Sequence, residues 1–192
     1  MKNIIIKMEE YAKDNFVPIA RKDNIEYLKN LIIKENLYNI LELGSAIGYS
    51  AICMASVSNK VKITTIERDE KLYNQALNNI KEAGFEERID IIFDDIFNVK
   101  IKGKYDLIFI DAAKAQYIKF FEKVSPCLSD EGVIVSDNIE LLDLQRLTNS
   151  KKSKKLVEKM QIYKEYLNNL EEYETEFLNI GDGFAVTRKK RK

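Results

Sequence analysis

Short apolar runs alternate along the chain with longer segments in which apolar residues recur every three or four positions. The apolar runs predict buried strands at 39–43, 61–67, 89–93, 105–110 and 132–136. The helical spacing predicts helices at 2–13, 21–36, 48–57, 69–84, 113–128 and 152–170. Two further runs, at 175–180 and 184–189, flank a Gly-Asp-Gly turn, which predicts a hairpin of antiparallel strands.

The order of these elements indicates the fold class. Five strand-then-helix units followed by a hairpin predict an α/β fold, a doubly wound and mostly parallel sheet with helices on both faces. Asp69 and Gly84 are placed to begin and end the helix between them. The 192 residues contain no internal repeat and no proline-rich linker, so we expect a single domain over residues 1–192.

The charge balance gives no overall attraction to nucleic acid, because 31 basic and 31 acidic residues cancel. Two local basic runs, 151–155 and 188–192, have two interpretations, a solvated surface or a phosphate-binding patch. The chain has no histidine, which excludes Ser-His-Asp and Cys-His nucleophile systems. Any proton transfer must therefore use Lys, Asp, Glu or Tyr.

The cysteine content and the hydropathy pattern indicate the cellular compartment of the protein. Cys53 and Cys127 lie far apart in sequence within apolar surroundings, which favours two reduced core residues. The charged N-terminal segment does not resemble a signal peptide, and no apolar run reaches membrane-spanning length. We expect a cytoplasmic protein with no membrane association.

Ligands of doubly wound sheets bind at the carboxyl ends of the strands, so the residues that follow each strand are the candidates for function. The first strand leads into Glu42, Gly44, Gly48 and Ser50, where glycines allow backbone to approach a ligand closely. The G-x-x-x-G spacing is weaker than the three-glycine dinucleotide fingerprint, and a plain turn also explains it.

The second and third strands also end in acidic residues. Glu67 follows the second strand, and an acid at that position can accept hydrogen bonds from the two hydroxyls of a ribose. Asp94 and Asp95 follow the third strand. Any one of these residues is also explained as a helix cap or loop residue.

The fourth and fifth strands end in a set of oxygen ligands. Asp111 follows the fourth strand, and Asp137 and Asn138 follow the fifth. Two carboxylates and an amide oxygen, with no nitrogen or sulfur, suit a hard cation such as Mg²⁺. The alternative is that Asp111 caps the next helix while Asp137 and Asn138 form an Asx-type turn.

Four motifs resemble the metal-dependent O-methyltransferases of the catechol and caffeoyl-CoA type: "ILELGSAIGYSA", "TIERDEKLYNQALNNIKEAG", "YDLIFIDAAKAQY" and "GVIVSDN". The resemblance runs nearly end to end and implies a class I, Rossmann-like methyltransferase fold with seven strands. It also implies S-adenosylmethionine (SAM) as methyl donor. "VPIARKD" and "IGDGFAVTRKK" are most similar to a bacterial branch that methylates 5-hydroxyuridine at the wobble position of tRNA.

The resemblance implies a role for each matching residue of the cofactor site. Glu42, Gly44 and Ser50 would hold the methionine end of SAM, with Ile19 or Ala20 closing over it. Glu67 would bind the ribose hydroxyls. Arg68 and Asp95 would border the adenine.

The resemblance also implies the catalytic centre. Asp111, Asp137 and Asn138 match the family's metal ligands, and Asp111 would also lie near the sulfonium of SAM. Lys114 matches the catalytic lysine and would take the proton of the acceptor hydroxyl.

Three functions stay open on the sequence. The first is methylation of tRNA 5-hydroxyuridine, with the basic runs and Arg146 binding phosphates near the anticodon. The second is methylation of a small catechol or phenol, and the third is SAM binding without catalysis. The segment after Asn138 is shorter than its counterpart in the family and lacks its aromatic and glycine pattern, so no substrate contacts are assigned there. Relatives are commonly dimers, and the amphipathic N-terminal segment predicts such a contact.

Overall fold

The structure is a computed structural model that describes residues 2–140 and 151–191, without the side chain of Lys152. The chain divides into two compact units, residues 1–100 and 101–192. Whether these units amount to the predicted single domain stays a prediction.

The first unit contains four helices and three strands. In chain order they are α1 (Lys2–Asp14), α2 (Lys22–Glu35), β1 (Asn39–Leu43), α3 (Tyr49–Ala55), β2 (Lys62–Glu67), α4 (Glu70–Ala83) and β3 (Ile89–Phe93).

The three strands of this unit run parallel, with β1 paired to β2 and β2 paired to β3. Ile40, Leu41 and Leu43 of β1 are fully buried, as expected for a parallel strand enclosed on both sides. The predicted ends of α4 are confirmed. The Asp69 side chain accepts a hydrogen bond from the Leu72 N–H at 3.0 Å, and Gly84 ends the helix at φ 72°.

Within residues 101–140 and 151–191, the second unit contains four strands, two α-helices and two short 3₁₀ turns. In chain order they are β4 (Tyr105–Ile110), the turn Lys114–Gln116, α5 (Tyr117–Val124), the turn Ser125–Cys127, β5 (Leu128–Asp137), α6 (Lys151–Asn168), β6 (Tyr173–Leu178) and β7 (Phe184–Lys189).

The seven strands form one mixed sheet in the order β3-β2-β1-β4-β5-β7-β6, which confirms the predicted strand number. β4 and β5 are parallel, whereas β7 runs antiparallel to both β5 and β6. The hairpin β6–β7 therefore forms as predicted, on either side of the Gly-Asp-Gly turn.

Two predicted elements of the second unit differ most from their predicted bounds, while β6 and α6 are shifted by one or two residues. The helix expected over 113–128 is in fact α5 between two 3₁₀ turns. Pro126 lies in the second turn, where it lacks the N–H that would continue the hydrogen bonds of α5. β5 begins at Leu128 rather than 132. Leu128 pairs with Tyr105 before an irregularity in register, and the polar residues between hide this extension from the apolar pattern.

No helix within the described residues is long and apolar enough to cross a membrane.

Candidate active site

The turn between β1 and α3 has the backbone conformation that its glycines suggest. Gly44 and Gly48 have φ of 97° and 80°, values that side-chain-bearing residues rarely adopt. The N–H groups of Gly44 and Ser45 both donate to the Ile66 carbonyl, at 3.2 and 3.1 Å. The turn is thereby fixed to the end of β2.

Glu42 is fully buried beneath this turn. Its Oε1 accepts a hydrogen bond from Ser50 Oγ at 2.5 Å, and its Oε2 accepts one from Thr65 Oγ1 at 2.6 Å. The carboxylate therefore ties β1 to α3 and β2. Its predicted contact with SAM stays a prediction, and the structure adds that Glu42 orients Ser50.

Ser45 is a candidate that the sequence reasoning missed. Its side chain is 2% exposed, and within residues 2–140 and 151–191 its Oγ has no hydrogen-bond partner. A buried hydroxyl without a partner is costly, which makes it a natural donor to a bound ligand. The sequence feature that could have identified Ser45 is its position between the two glycines of the G-x-x-x-G turn.

Glu67 holds the loops at the end of β2 through three backbone N–H groups. Oε2 accepts from Ala46 at 2.9 Å, and Oε1 accepts from Arg68 and Asp69, both at 2.8 Å. A carboxylate offers about four acceptor positions, so about one is left for a ribose hydroxyl unless a backbone bond is exchanged.

Arg68 and Asp95, the predicted neighbours of adenine, contact each other. Arg68 Nη1 lies 3.1 Å from Asp95 Oδ2, and the two side chains are 68% and 34% exposed. The Phe97 N–H, which donates to Asp95 Oδ1 at 2.9 Å, and the Arg68 guanidinium lower the pKa of Asp95. The pair forms a polar border that remains open to a ligand.

Ile19 and Ala20 lie in the loop between α1 and α2. Ile19 is half-buried, and Ala20 is 9% exposed. Both are apolar, as closure over a ligand requires, but their contact with SAM stays a prediction.

In the second unit, Asp111 and Lys114 form an ion pair directly after β4. Lys114 Nζ lies 3.7 Å from Asp111 Oδ1, and each side chain is 22% exposed. Burial raises the pKa of Asp111, and the Lys114 ammonium opposes that shift. Ala113, not Asp111, occupies the N-cap position of the next turn, and no side chain caps it. The capping alternative for Asp111 is therefore wrong.

Asp137 ends β5, and Asn138 follows it in an unusual backbone conformation. Asp137 is fully buried, and its Oδ1 accepts a hydrogen bond from the Asn138 N–H at 2.6 Å. Asn138 has φ 58°, a left-handed value that asparagine tolerates better than most residues. An Asx-type turn bonds the backbone N–H two residues on, whereas Asp137 accepts from the next residue and the N–H of Ile139 donates to Gly183, so the observed bond is not the turn of the alternative interpretation.

The Gly-Asp-Gly turn supports this conformation of Asn138. The Ile139 N–H donates to the Gly183 carbonyl at 3.1 Å, and the Glu140 N–H donates to the Asp182 carbonyl at 2.8 Å. The two residues after Asn138 are thus held against the β6–β7 hairpin.

Tyr117 links the ends of β4 and β5 and was not singled out from the sequence. Its hydroxyl lies 3.2 Å from the Ile110 carbonyl oxygen and 3.0 Å from the Asp137 carbonyl oxygen. Burial raises the pKa of Tyr117 well above its ordinary value, and the Asp111 and Asp137 carboxylates raise it further. The pKa of Tyr117 therefore depends on both carboxylates.

The donor set of Asp111, Asp137 and Asn138 fits a hard divalent cation in chemistry, since all three side chains offer oxygen. Across the described part of the chain, no three His, Cys, Asp or Glu side chains gather into a metal site. The predicted set contains only two acids and one amide, so its metal binding stays a prediction.

A cavity of about 280 Å³ opens beside Lys114, between α5 and α6. Lys119 and Lys159 stand at it with exposed side chains, and Ile162 is 48% exposed. Tyr117 and Tyr163 contribute buried aromatic rings. The cavity thus combines an apolar lining with positive charge.

Arg146, within the segment 141–150, and Lys192 lie outside the described residues, so the phosphate contact predicted for Arg146 stays a prediction.

A family model described as O-methyltransferase matches residues 6–190 of the chain. The chain belongs to the O-methyltransferase family. This match confirms the family predicted from the motifs, and the seven-stranded sheet is the Rossmann-like methyltransferase fold.

Relatives of this O-methyltransferase agree with the family assignment. A solved Staphylococcus aureus protein, assigned as a caffeoyl-CoA O-methyltransferase, is 39% identical with a TM-score of 0.88, over 97% of this chain and 92% of that one. The caffeoyl-CoA O-methyltransferase of Stellaria longipes is 33% identical over 107 residues, which are 51% of this chain and 44% of that enzyme. This match therefore spans less than half of the plant enzyme.

The fold extends to more distant methyltransferases. The S-adenosylhomocysteine-bound (SAH-bound) PaMTH1 of Podospora anserina has a TM-score of 0.88 at 21% identity, over 98% of this chain and 88% of that one. At this identity the likeness is one of fold alone.

Proposed function

We propose that the protein is a SAM-dependent and divalent-metal-dependent O-methyltransferase. The observation that carries the proposal is the arrangement at the ends of β4 and β5, two paired strands. Asp137 ends β5, and Asp111 and Asn138 come directly after the two strands. Lys114 Nζ lies 3.7 Å from Asp111 Oδ1. In a chain of the O-methyltransferase family, this is the donor set and the base that the chemistry requires.

The proposed reaction is an in-line methyl transfer. The carbon–sulfur bond of the sulfonium breaks with its electron pair left on sulfur, while a lone pair of the acceptor oxygen forms the new carbon–oxygen bond. A bound cation would lower the pKa of the acceptor hydroxyl and orient it. Lys114 is the proposed base, and to take the hydroxyl proton its Nζ must first release to solvent the proton that it carries in the ion pair with Asp111. The products are SAH, the methyl ether and a protonated Lys114.

The substrate that we propose is 5-hydroxyuridine in tRNA. Its O4 and O5 are adjacent oxygens, which suits binding of both to one cation. The cavity beside Lys114 supports this substrate, because its apolar lining suits a base while Lys119 and Lys159 suit flanking phosphates. A small catechol, which also offers adjacent oxygens, is the alternative, and the apolar lining favours it equally.

The test compares the two acceptors. Purified protein, SAM and Mg²⁺ are incubated with tRNA from cells that lack the protein, or with catechol, and methyl ethers are measured by mass spectrometry. We expect 5-hydroxyuridine to be converted to its methyl ether. Methylation of catechol alone would establish the alternative, and no methylation with retained SAM binding would leave only a SAM-binding protein.

Reversing the charge of the cavity lysines gives a second way to distinguish the tRNA substrate from catechol. We expect Lys119→Glu/Lys159→Glu to weaken tRNA methylation at least tenfold and to leave catechol turnover within about twofold. The matched control is Lys13→Glu/Lys102→Glu, which reverses two exposed lysines elsewhere on the chain. Equal loss in both double variants would assign the effect to net charge rather than to the cavity.

We also propose a homodimer formed through α1. Ile6 on this helix is 49% exposed, whereas Ile4, Met8 and Ala12 are buried. The other aliphatic residues of this helix are buried or half-buried, so Ile6 is the aliphatic side chain of α1 that a second copy could contact. Light scattering should give twice the chain mass, and Ile6→Lys should shift it to the monomer.

A further inference from the structure

The residue Tyr117 ends the stretch DLIFIDAAKAQY, which also contains Asp111 and Lys114. Its side chain is 1% exposed, and its hydroxyl lies within 3.2 Å of two backbone carbonyl oxygens, those of Ile110 and Asp137. A phenol has a single proton, so the two carbonyls share it in a three-centre hydrogen bond.

The two carbonyls belong to the last residues of neighbouring strands. Ile110 ends β4, and Asp137 ends β5. The pairing of these strands ends at Ile110 with Ser136, one residue before Asp111 and Asp137. Tyr117 therefore joins the strands at the point where the backbone ladder ends and the carboxylates begin.

The ring of Tyr117 is itself held in place. It packs edge-on against the ring of Tyr163, with centroids 5.3 Å apart and an angle of 81°. Tyr163 hydrogen-bonds Ser136 Oγ at 2.7 Å. Tyr163 thus fixes the ring and the residue before Asp137, but its hydroxyl does not reach the strand-end carbonyls that Tyr117 joins.

We propose that Tyr117 is a positioning residue that sets the separation of Asp111 and Asp137 and so the affinity of the site for a divalent cation. This inference rests on the proposed metal-dependent function. Tyr117 touches the backbone at Asp137 and directly before Asp111, so a change at its hydroxyl moves both carboxylates relative to each other. Groups that orient metal ligands in this way commonly change metal affinity by about 10- to 100-fold when they are altered.

The test replaces the hydroxyl without removing the ring. Tyr117→Phe and the matched control Tyr163→Phe each lose one buried hydroxyl from the same aromatic pair. Binding of Mn²⁺ is measured by electron paramagnetic resonance at 10 °C with SAM present. Bound SAM stabilises the folded state, which compensates for a loss of stability in either variant. SAM affinity and thermal unfolding are measured in parallel.

We expect Tyr117→Phe to raise the Mn²⁺ dissociation constant about tenfold, with Tyr163→Phe within twofold of the unaltered protein. Similar losses of melting temperature in both variants, with metal affinity changed in only one, would separate positioning from stability. Equal Mn²⁺ affinity in all three proteins would overturn the inference while leaving the proposed function intact. No Mn²⁺ binding by the unaltered protein would overturn both.

Discussion

Ser50 donates its hydroxyl proton to Glu42 across 2.5 Å, inside the unit that carries the predicted SAM residues. Because a hydroxyl has one proton, this bond leaves Ser50 only lone pairs for a ligand. Ser50 is therefore suited to accept a hydrogen bond from the ammonium group of a methionine moiety rather than to donate one to its carboxylate.

Replacing Ser50 should weaken the binding of ligands that carry the ammonium group of methionine and leave other ligands unaffected. We expect Ser50→Ala to weaken SAM binding about 10- to 150-fold, since a hydrogen bond to a charged group contributes about 1.5–3 kcal/mol. 5′-Methylthioadenosine, which has no amino acid portion, should bind the variant and the unaltered protein equally. Calorimetric titration measures both ligands, and an equal loss for the two would point to a general disturbance around Glu42.

Substitutions of Lys114 can distinguish a role as general base from a role that needs only its positive charge. Lys114→Ala should lower the rate of methyl transfer about 10²- to 10⁴-fold with SAM affinity unchanged, as expected for loss of a general base. Lys114→Arg keeps a positive charge near Asp111 but cannot give up its proton, so we expect it to be equally slow. Single-turnover rates measure the effect, with exposed Lys102→Ala as control. Rescue by arginine would assign Lys114 to charge alone.

Asp137 is the buried acid of the predicted metal set. Asp137→Asn retains an oxygen that can accept from the Asn138 N–H but removes the negative charge. We expect Mg²⁺-stimulated turnover to be lost and SAM affinity to be unchanged. The control is Asp130→Asn, whose side chain is 96% exposed near the other end of β5. Turnover that survives in Asp137→Asn would remove the cation from the proposed mechanism.

The Gly-Asp-Gly turn should influence Asn138 at a distance. Gly183 has φ +88°, and a Cβ there would lie 2.6 Å from Glu140 Cγ and 3.1 Å from Ile139 Cγ1. We expect Gly183→Ala to destabilise the protein and to weaken Mn²⁺ binding, because it displaces the residues that follow Asn138.

Gly103 is the matched control for this prediction. Its φ is +87°, but a Cβ there meets nothing within 4 Å. Both alanine variants should lose about 1–2 kcal/mol of stability from the left-handed backbone, measured by urea unfolding. Only Gly183→Ala should lose metal affinity, and the same loss in Gly103→Ala would contradict the proposed support of Asn138.

Cys53 should be slow to react with alkylating reagents. It is 3% exposed, and burial raises the pKa of its thiol to about 11. At pH 8 about one molecule in a thousand then carries the reactive thiolate. We expect Cys127→Ser, which leaves only Cys53, to react with iodoacetamide at least 100-fold more slowly than Cys53→Ser, because Cys127 is partly exposed.

The raised pKa of Cys53 also predicts how the free energy of unfolding changes with pH. The folded protein holds the Cys53 proton more tightly than the unfolded chain does, so this contribution is fully present below the ordinary thiol pKa. It is lost as pH rises toward 11. Urea unfolding of the unaltered protein and of Cys53→Ser between pH 7 and 10 should therefore converge as pH rises.

The elements of this fold could be predicted from the sequence because they depend on local pattern. β1 and β4 match their apolar runs residue for residue, since a strand buried on both faces needs continuous apolar side chains. Helix α4 was delimited by Asp69 and Gly84, whose preferences act through neighbouring backbone groups. The start of β5 was missed because Leu128 is followed by polar residues, and only its pairing with Tyr105 makes it a strand.

The sequence by itself determined which chemical groups the site contains, because Asp111, Asp137 and Asn138 each come directly after an apolar strand. Only the tertiary structure decided how those groups are held. The hydroxyl of Tyr117 reaches carbonyls 7 and 20 positions away, and Gly183 supports Ile139 from a separate hairpin. Such contacts depend on which elements pack together in space, and no local periodicity of the chain encodes them.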